Sequence, residues 1–549
     1  MFCVKLSCEV WLVIFGTLVA VLLRGCTTLH PYSGEGSPPM YGDYEAQRHW
    51  MEITTNLPIT EWYKNGSEND LMYWGLDYPP LTAYHMFAAG KLAELINENY
   101  TKLHDSRGFE SDEHKLFMRY TVLVVDILVY IPSLVVYFYA TECQGSDKKV
   151  KPLSPPLSTI LGLLYPGIIL IDHGHFQYNC VSLGLAIFAT VFVLKKFNIA
   201  ASICFCAALN YKQMELYHSL PFFMYLLSSC VPKPGQSTTS GIIKLSKIAI
   251  TVVLSFLTIW APFLFNMDDF LVVLQRQFPL SRGVFEDKVS NFWCVLNIFY
   301  KLKLRFTNYE MMRICLFATI SMVFPSSIDL FLRPSSKKFV LALINSSLAF
   351  FLFSFQVHEK TILLVAIPVI LYFPQKPFVC FWFLCLSVFS MTPLLYKDGL
   401  VIATVALMIF YSTSFQVSIE HFYRNYLNAS DGLAEYYRSL LHVLLNIEYK
   451  KATQLDILKL TYKEIVRNRK TLKQFAFHLF MFTSLMGSVF LSFLLLVFDP
   501  PERYPDLFPL LISAYSAVHF FGFFVYFNVQ QIKIPQEFDD IRNVKLKSS

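Results

Sequence analysis

The chain has 549 residues, of which 54% are hydrophobic, 16% aromatic and only 16% charged, with 52 Phe and 31 Tyr. A soluble domain carries about 25% charged residues, so the charge here falls short of covering the soluble domains that such a length implies; disorder, a fibrous protein and an ordinary soluble enzyme are excluded. The net charge of +6, with no Arg-rich stripe, excludes nucleic acid as a partner, and the 12 cysteines show neither C-x-x-C nor zinc spacing. What remains is an all-α polytopic membrane protein.

Apolar runs predict spans near 10–26, 118–140, 156–170, 176–194, 197–210, 217–231, 247–266, 311–331, 339–356, 360–374, 377–393, 398–416, 474–498 and 507–529. Several are short, so about 11–14 transmembrane helices are expected. The apolar stretch 10–23 is also short enough for a signal peptide. Arg24 follows it at once and no small-x-small site appears, which favours a retained first helix.

With a cytosolic N-terminus, the cytosolic turns carry Lys148, Lys149 and Lys151, then Lys195 and Lys196, then Lys233, Lys244 and Lys247. Arg333, Lys337, Lys338 and Lys376 follow, and then the basic stretch 450–473. This is the positive-inside pattern. The sequons at Asn65 and Asn99 fall on the opposite, lumenal side and are expected glycosylation sites, whereas the one at Asn428 falls in the cytosol. Five regions result: 1–26 with the first helix, a long first lumenal loop at 27–117, a polytopic core at 118–416, a basic cytosolic loop at 417–473, and a C-terminal helix pair with its tail at 474–549. Lys545 and Lys547 near the end resemble a dilysine retrieval signal of endoplasmic-reticulum membrane proteins, which requires a cytosolic C-terminus.

The polar motifs gather on the lumenal side: 27–117, 172–179, 211–214, 278–293 and 355–360. Long segments of this kind tend to be functional, and one chamber built from several loops is the natural expectation. Asp43 follows a Gly/Pro-rich turn and precedes a helix-like run, 45–53. Two readings stand for it: a helix cap, or a carboxylate held at the membrane surface beside a lipid-borne substrate. Glu45 offers a weak Asp-x-Glu metal pair. Asp77, ahead of Pro79 and Pro80, reads either as a cap to the next helix or as a substrate ligand. Lys212 lies between two apolar spans, where a cation is either functional or snorkelling. His173 and His175 have ligand-like spacing but no third partner, so they are expected as polar chamber lining or helix-end hydrogen bonders.

The words Tyr41-Gly-Asp-Tyr-Glu-Ala-Gln-Arg-His-Trp50, Trp74-Gly-Leu-Asp-Tyr-Pro-Pro80, Ser106-Arg-Gly-Phe-Glu-Ser111, the 172–179 stretch, Arg282-Gly-Val-Phe-Glu-Asp-Lys288 and Val357-His-Glu-Lys360 resemble the endoplasmic-reticulum dolichyl-phosphate-glucose-dependent glucosyltransferases. The resemblance runs from about residue 30 to 400. Within that family it is nearest to the branch adding the first glucose to the nine-mannose lipid-linked oligosaccharide. The branch adding the second glucose shares the Leu-Asp-Tyr-Pro-Pro and Val-His-Glu-Lys words but differs around the first acidic motif.

The resemblance implies a GT-C-type glycosyltransferase with dolichyl phosphate glucose as donor and a dolichyl-diphosphate-linked oligosaccharide as acceptor, forming an α-1,3 bond with inversion. It implies Asp43 as general base, with His358, Lys360, Arg282, Asp77 and Lys212 binding the donor phosphate or sugar, and Lys288 a further phosphate candidate. Glu45, Arg48, His175 and Arg107 are secondary candidates in the same words. Neither a metal nor a cofactor is expected on the same resemblance, and because a lipid phosphate is already a good leaving group no nucleotide-binding loop is needed. A transporter or flippase is the rival of another class. It favours internal repeats and mid-membrane sites, and neither is evident.

Overall fold

The structure is a computed structural model describing residues 8–142, 153–232, 235, 237–278, 289–426 and 469–535. Lys148, Lys149, Lys151, Lys233, Arg282, Lys288, the Asn428 sequon, most of the 450–473 basic stretch and the Lys545/Lys547 tail lie outside the described residues.

Backbone polar groups find no water in hydrocarbon, so apolar runs close their hydrogen bonds internally as helices. Among the described residues there is no strand. Nine helical segments among the described residues are long and apolar enough to cross a membrane: Cys8–Thr27, Asp112–Thr141, Pro155–Phe176, Thr238–Phe263, Asn308–Leu332, Ser336–Phe353, Val401–Glu420, Phe475–Val497 and Leu507–Lys533. Asn179–Leu194, Asn198–Tyr211 and Pro377–Ser390 are shorter apolar helices. At about 1.5 Å per residue they fall short of a ~30 Å hydrocarbon core. The expected runs at 217–231 and 360–374 form Leu216–Cys230 and Leu363–Tyr372, each with an internal proline, Pro221 and Pro368. The helix beginning at Val401 continues to Tyr426, past the expected boundary at 416.

The bundle has a centre and a rim. The most apolar windows of Pro155–Phe176 and Ser336–Phe353 are each 83% buried, against 6% for Thr238–Phe263 and 11% for Phe475–Val497. The latter two present their Leu, Ile and Phe side chains outward, as helices in contact with lipid do.

Two central helices widen into π-helical turns, over Asp126–Tyr130 and Ile169–Phe176. Such turns are frequent at functional sites. The second corrects the expectation of a loop at 172–179 with a new span from 176. Instead the helix from Pro155 carries on to Phe176, and its Asp172, His173 and His175 are buried. Arg24, on the first helix, donates from Nε to Asp126 Oδ2 at 2.5 Å and from Nη1 to the Leu163 carbonyl at 3.0 Å. His173 Nε2 lies 2.8 Å from the same Asp126 oxygen. Buried charges are tolerated when paired, so this cluster locks the first helix to both widened helices.

The 27–117 segment is structured, with helices at Gly42–Asn56 and Pro80–Ile96 packed on one another. Gly90 permits the approach: a Cβ there would meet Thr55 Oγ1 at 2.2 Å and the Met51 carbonyl at 2.9 Å. The Gly42–Asn56 helix is buried continuously from Tyr44 to Thr54. Its Glu45, Arg48 and Glu52 follow i, i+3, i+7 spacing and share a face. Arg48 donates to Glu45 Oε1 and Oε2 at 2.6 and 2.7 Å, to Glu52 Oε2 at 2.6 Å and to Ser106 Oγ at 2.6 Å. The Tyr73 hydroxyl adds a bond to Glu45 Oε1 at 2.8 Å, and the Arg107 guanidinium lies 4.8 Å from the Tyr73 ring centre. Burial pushes the Glu52 carboxyl up, but His49 and Arg48 outweigh it and hold it at about 2.

Arg48→Ala leaves two buried carboxylates without their counter-charge, at an expected cost of about 3–5 kcal/mol. Arg48→Lys, which lacks the fork that serves both carboxylates, should recover only part of it. Thermal unfolding of the purified protein in detergent checks both.

Candidate active site

Asp43 and Glu45 are two residues apart on one helix, hence about 200° apart around it. Glu45 faces the Arg48 network, and Asp43 faces the bundle. The helix begins at Gly42, behind Tyr41 in the left-handed region. Asp43 therefore stands in the first turn rather than at the cap, which corrects that reading. Gly42 has φ 70°, and a Cβ on it would meet the Ser33 carbonyl oxygen and carbon at 2.6 and 2.7 Å. Only glycine lets the 31–42 turn close this tightly. Ser33 fastens the turn to the site: its N–H donates to the His175 carbonyl at 3.1 Å, and its Oγ accepts from Asp43 N–H at 3.4 Å.

Asp43 Oδ2 meets three groups at once. Gln177 Nε2 donates to it at 2.6 Å, His175 Nε2 lies at 2.8 Å, and Lys360 Nζ forms an ion pair with it. Asp43 Oδ1 accepts no hydrogen bond from the described residues, and the side chain remains 22% exposed. One oxygen is anchored and the other is without a hydrogen bond from the described residues. Burial pushes the carboxyl up, but the Lys360 ammonium and His175 outweigh it and hold it well below the usual carboxylate range.

His175 is buried between two carboxylates. Its Nδ1 lies 2.6 Å from Asp398 Oδ2, in the turn after the Thr392–Lys397 helix. With Nδ1–H donating to Asp398, Nε2 is left to accept from Lys360 at 3.1 Å or, once protonated, to donate to Asp43. Lys212, the residue ending the Asn198–Tyr211 helix, donates to Asn179 Oδ1 at 2.5 Å and sits 5.3 Å from the Tyr78 ring centre. Burial and the like charge of Lys360 push its ammonium down, so both cations act on one region. Burial raises the Tyr78 hydroxyl, with Asp77, Asp43 and Asp172 adding to the effect. Asp77 thus belongs to the same neighbourhood, where its carbonyl accepts from Gln213 Nε2 at 3.1 Å.

The structure brings together Asp43, Lys360 and His175, with Lys212 and Asp77 close by. Asp77 is not a helix cap: that place is taken by Pro79. His358 precedes the short helix Glu359–Ile362 that carries Lys360, and its N–H donates to Thr361 Oγ1 at 3.3 Å. Glu45, Arg48 and Arg107 belong to the bracing network on the other face. Because Arg48 and Tyr73 occupy the Glu45 carboxylate, the Asp43/Glu45 metal pair does not form. Among the described residues no cluster of three or more His, Cys, Asp or Glu is placed for a metal ion. Sequence reasoning left Gln177 without a role, although it lies in a quoted motif, and missed Asp398, which no motif marks.

A profile of the ALG6, ALG8 glycosyltransferase family matches residues 11–527. The chain belongs to this family. It is 45% identical over 524 residues to the dolichyl pyrophosphate Man9GlcNAc2 alpha-1,3-glucosyltransferase of Gallus gallus, covering 95% of this chain and 97% of that protein. It is 42% identical over 520 residues to a probable enzyme of the same name from Drosophila melanogaster, covering 94% and 98%. Among solved structures, ArnT from Cupriavidus metallidurans bound to undecaprenyl phosphate aligns over 96% of this chain and 78% of that one, at 12% identity and a TM-score of 0.38. The family expected from the motif words is the family found, and the protein is a glycosyltransferase.

In this glycosyltransferase Lys360→Met removes the cation opposing the effect of burial on Asp43. If ionised Asp43 carries the reaction, the acidic limb of the transfer-rate profile moves to higher pH by about 1 unit or more. The residual rate of the variant, followed from pH 4 to 8, checks it; an unmoved limb would separate Asp43 from the rate.

Proposed function

We propose that this enzyme transfers glucose from dolichyl phosphate glucose to the terminal mannose of the nine-mannose dolichyl-diphosphate oligosaccharide, forming an α-1,3 bond with inversion. The observation that carries the reading is the division of labour within Asp43: Oδ2 is held by three partners, and Oδ1 accepts from none of the described residues. The relatives at 45% and 42% identity, whose names specify a Man9GlcNAc2 acceptor, support the choice of substrate.

The mannose hydroxyl attacks the anomeric carbon of the donor, its proton passes to Asp43 Oδ1, and the bond from that carbon to the phosphate oxygen breaks with its electron pair. Dolichyl phosphate leaves. Alignment and charge stabilisation are the main demands of such a displacement. Lys360 and Lys212 answer the second, and His358 and Arg282 are the further candidates. As Lys360 turns to the phosphate it quits Asp43, whose basicity then rises when a base is needed. His175, held by Asp398, gives the proton a route away from Asp43 afterwards.

The reading places the site in the endoplasmic-reticulum lumen, with both termini cytosolic. Its support is the positive-inside pattern and the exposure of Asn65 and Asn99 on the same inter-span segment as Asp43.

Asp43→Asn is expected to lower turnover by about 10²–10⁴-fold, the usual worth of a general base, while donor binding persists. Purified enzyme with donor and nine-mannose acceptor lipid measures it, and undiminished turnover would sink the assignment. Offered separately, the nine-mannose acceptor should be glucosylated and the monoglucosylated one should not. Activity is also expected to survive EDTA; loss restored by manganese or magnesium would overturn the metal-free scheme.

A further inference from the structure

A cavity of about 580 Å³ is walled by the 31–42 turn, which ends one residue before Asp43, by Trp74 and by the Lys397–Asp398–Gly399 turn. Its size lies within the range of about 300–1,000 Å³ typical of small-molecule sites. It is not the phosphate side of the centre: Lys360, Lys212 and His358 do not line it, and among the described residues the one cation that does, Lys397, is exposed. Its wall holds aromatic rings and hydroxyl-accepting groups instead: Tyr41, Trp74, Glu35, Ser37 and Asp398.

Two of these rings are held in an unusual way. Tyr41 has φ 55° and Trp74 φ 49°, the left-handed region that bulky side chains avoid. Such strain persists where surrounding structure enforces it, and it clusters at functional sites. Trp74 is fixed at both ends, its Nε1 donating to the Met40 carbonyl at 2.5 Å and its own carbonyl accepting from Trp50 Nε1 at 2.8 Å. Asp398 connects cavity to chemistry, for the carboxylate that lines the wall also holds His175, which meets Asp43.

We infer that this cavity is the subsite for the terminal saccharides of the acceptor. Trp74 and Tyr41 offer apolar faces to the C–H faces of the sugar rings, and Glu35, Ser37 and Asp398 accept from their hydroxyls. Asp43 then stands between two unlike sides: ammonium groups toward the donor phosphate, aromatic rings and carboxylates toward the acceptor sugar. The inference rests on the transferase reading above for the identity of the sugar, and on the cavity alone for its location.

The test uses full-length enzyme in detergent and two variants, Trp74→Ala, which removes the platform, and Met40→Trp, which fills the rim. Both should raise the acceptor KM by about fivefold or more, the usual effect of deleting or blocking an aromatic anchor, with the donor KM unchanged. Met40 is exposed, so its replacement keeps the test available if Trp74→Ala does not fold. Lipid-free nine-mannose oligosaccharide should bind the wild type and lose affinity in both variants by saturation-transfer NMR. An unchanged acceptor KM in a transferring enzyme, or a donor KM that rises in its place, overturns the subsite. Free oligosaccharide that binds here in an enzyme transferring no glucose upholds the subsite and sinks the transferase reading.

Discussion

A carboxylate that serves as a base beside a membrane must remain ionised while partly withdrawn from water, and it must offer an oxygen that nothing else occupies. Burial alone protonates such a group. Here Asp43 keeps its charge because Lys360, His175 and Gln177 converge on one oxygen. Their convergence on Oδ2 leaves Oδ1 without a hydrogen bond from the described residues, as the proposed reaction requires. The rest of the molecule is arranged around holding those three side chains in place: His175 and Gln177 come from one helix end and Lys360 from a segment 183 positions further on.

Gln177 and His175 reach Asp43 because the helix from Pro155 widens in its last turns instead of ending. An ordinary α-helical pitch changes which side chains face the 31–42 turn, so the widening is a positioning device. That widened helix needs an anchor of its own in the bundle, and the Arg24–Asp126–His173 cluster supplies one. Asp43 in turn is placed by the Gly42–Asn56 helix, which is buried on every side and held by the Arg48 fork. Two buried ion clusters thus fix the two halves of the site, one on the bundle and one on the inter-span segment. Removing either partner of such a pair leaves an uncompensated charge, which makes the geometry stiff as well as stable.

Much of this was legible from the residues. Apolar runs located the helices because hydrocarbon leaves the backbone no alternative, and the motif words located Asp43 and Lys360. Glu45 and Arg48 were read as site candidates beside Asp43, whereas their i, i+3, i+7 spacing with Glu52 puts them on a face of their own. What the sequence did not reveal was tertiary. A π-helical turn has no compositional mark, so 172–179 looked like a loop and His175 like lining. Asp398 sits in an unremarkable Lys-Asp-Gly turn, and only the fold brings it to a histidine 223 positions away. The cavity is likewise invisible in the sequence, for its wall joins segments around residues 35, 74 and 398.

The pairing of Asp43 with Lys360 has a consequence for the order of events under the proposed reaction. Each group is needed separately, one for the acceptor hydroxyl and one for the donor phosphate, yet in this structure they neutralise each other. The donor's phosphate carries one negative charge as a diester and gains a second as its bond to the anomeric carbon breaks, so the donor is the partner that draws the ammonium from the carboxylate, and does so most strongly as the bond breaks. Acceptor binding alone leaves the base suppressed. A site open enough to admit a large lipid-linked sugar cannot rely on excluding water by closure, and an internal counter-ion that only the donor displaces does the same work electrostatically.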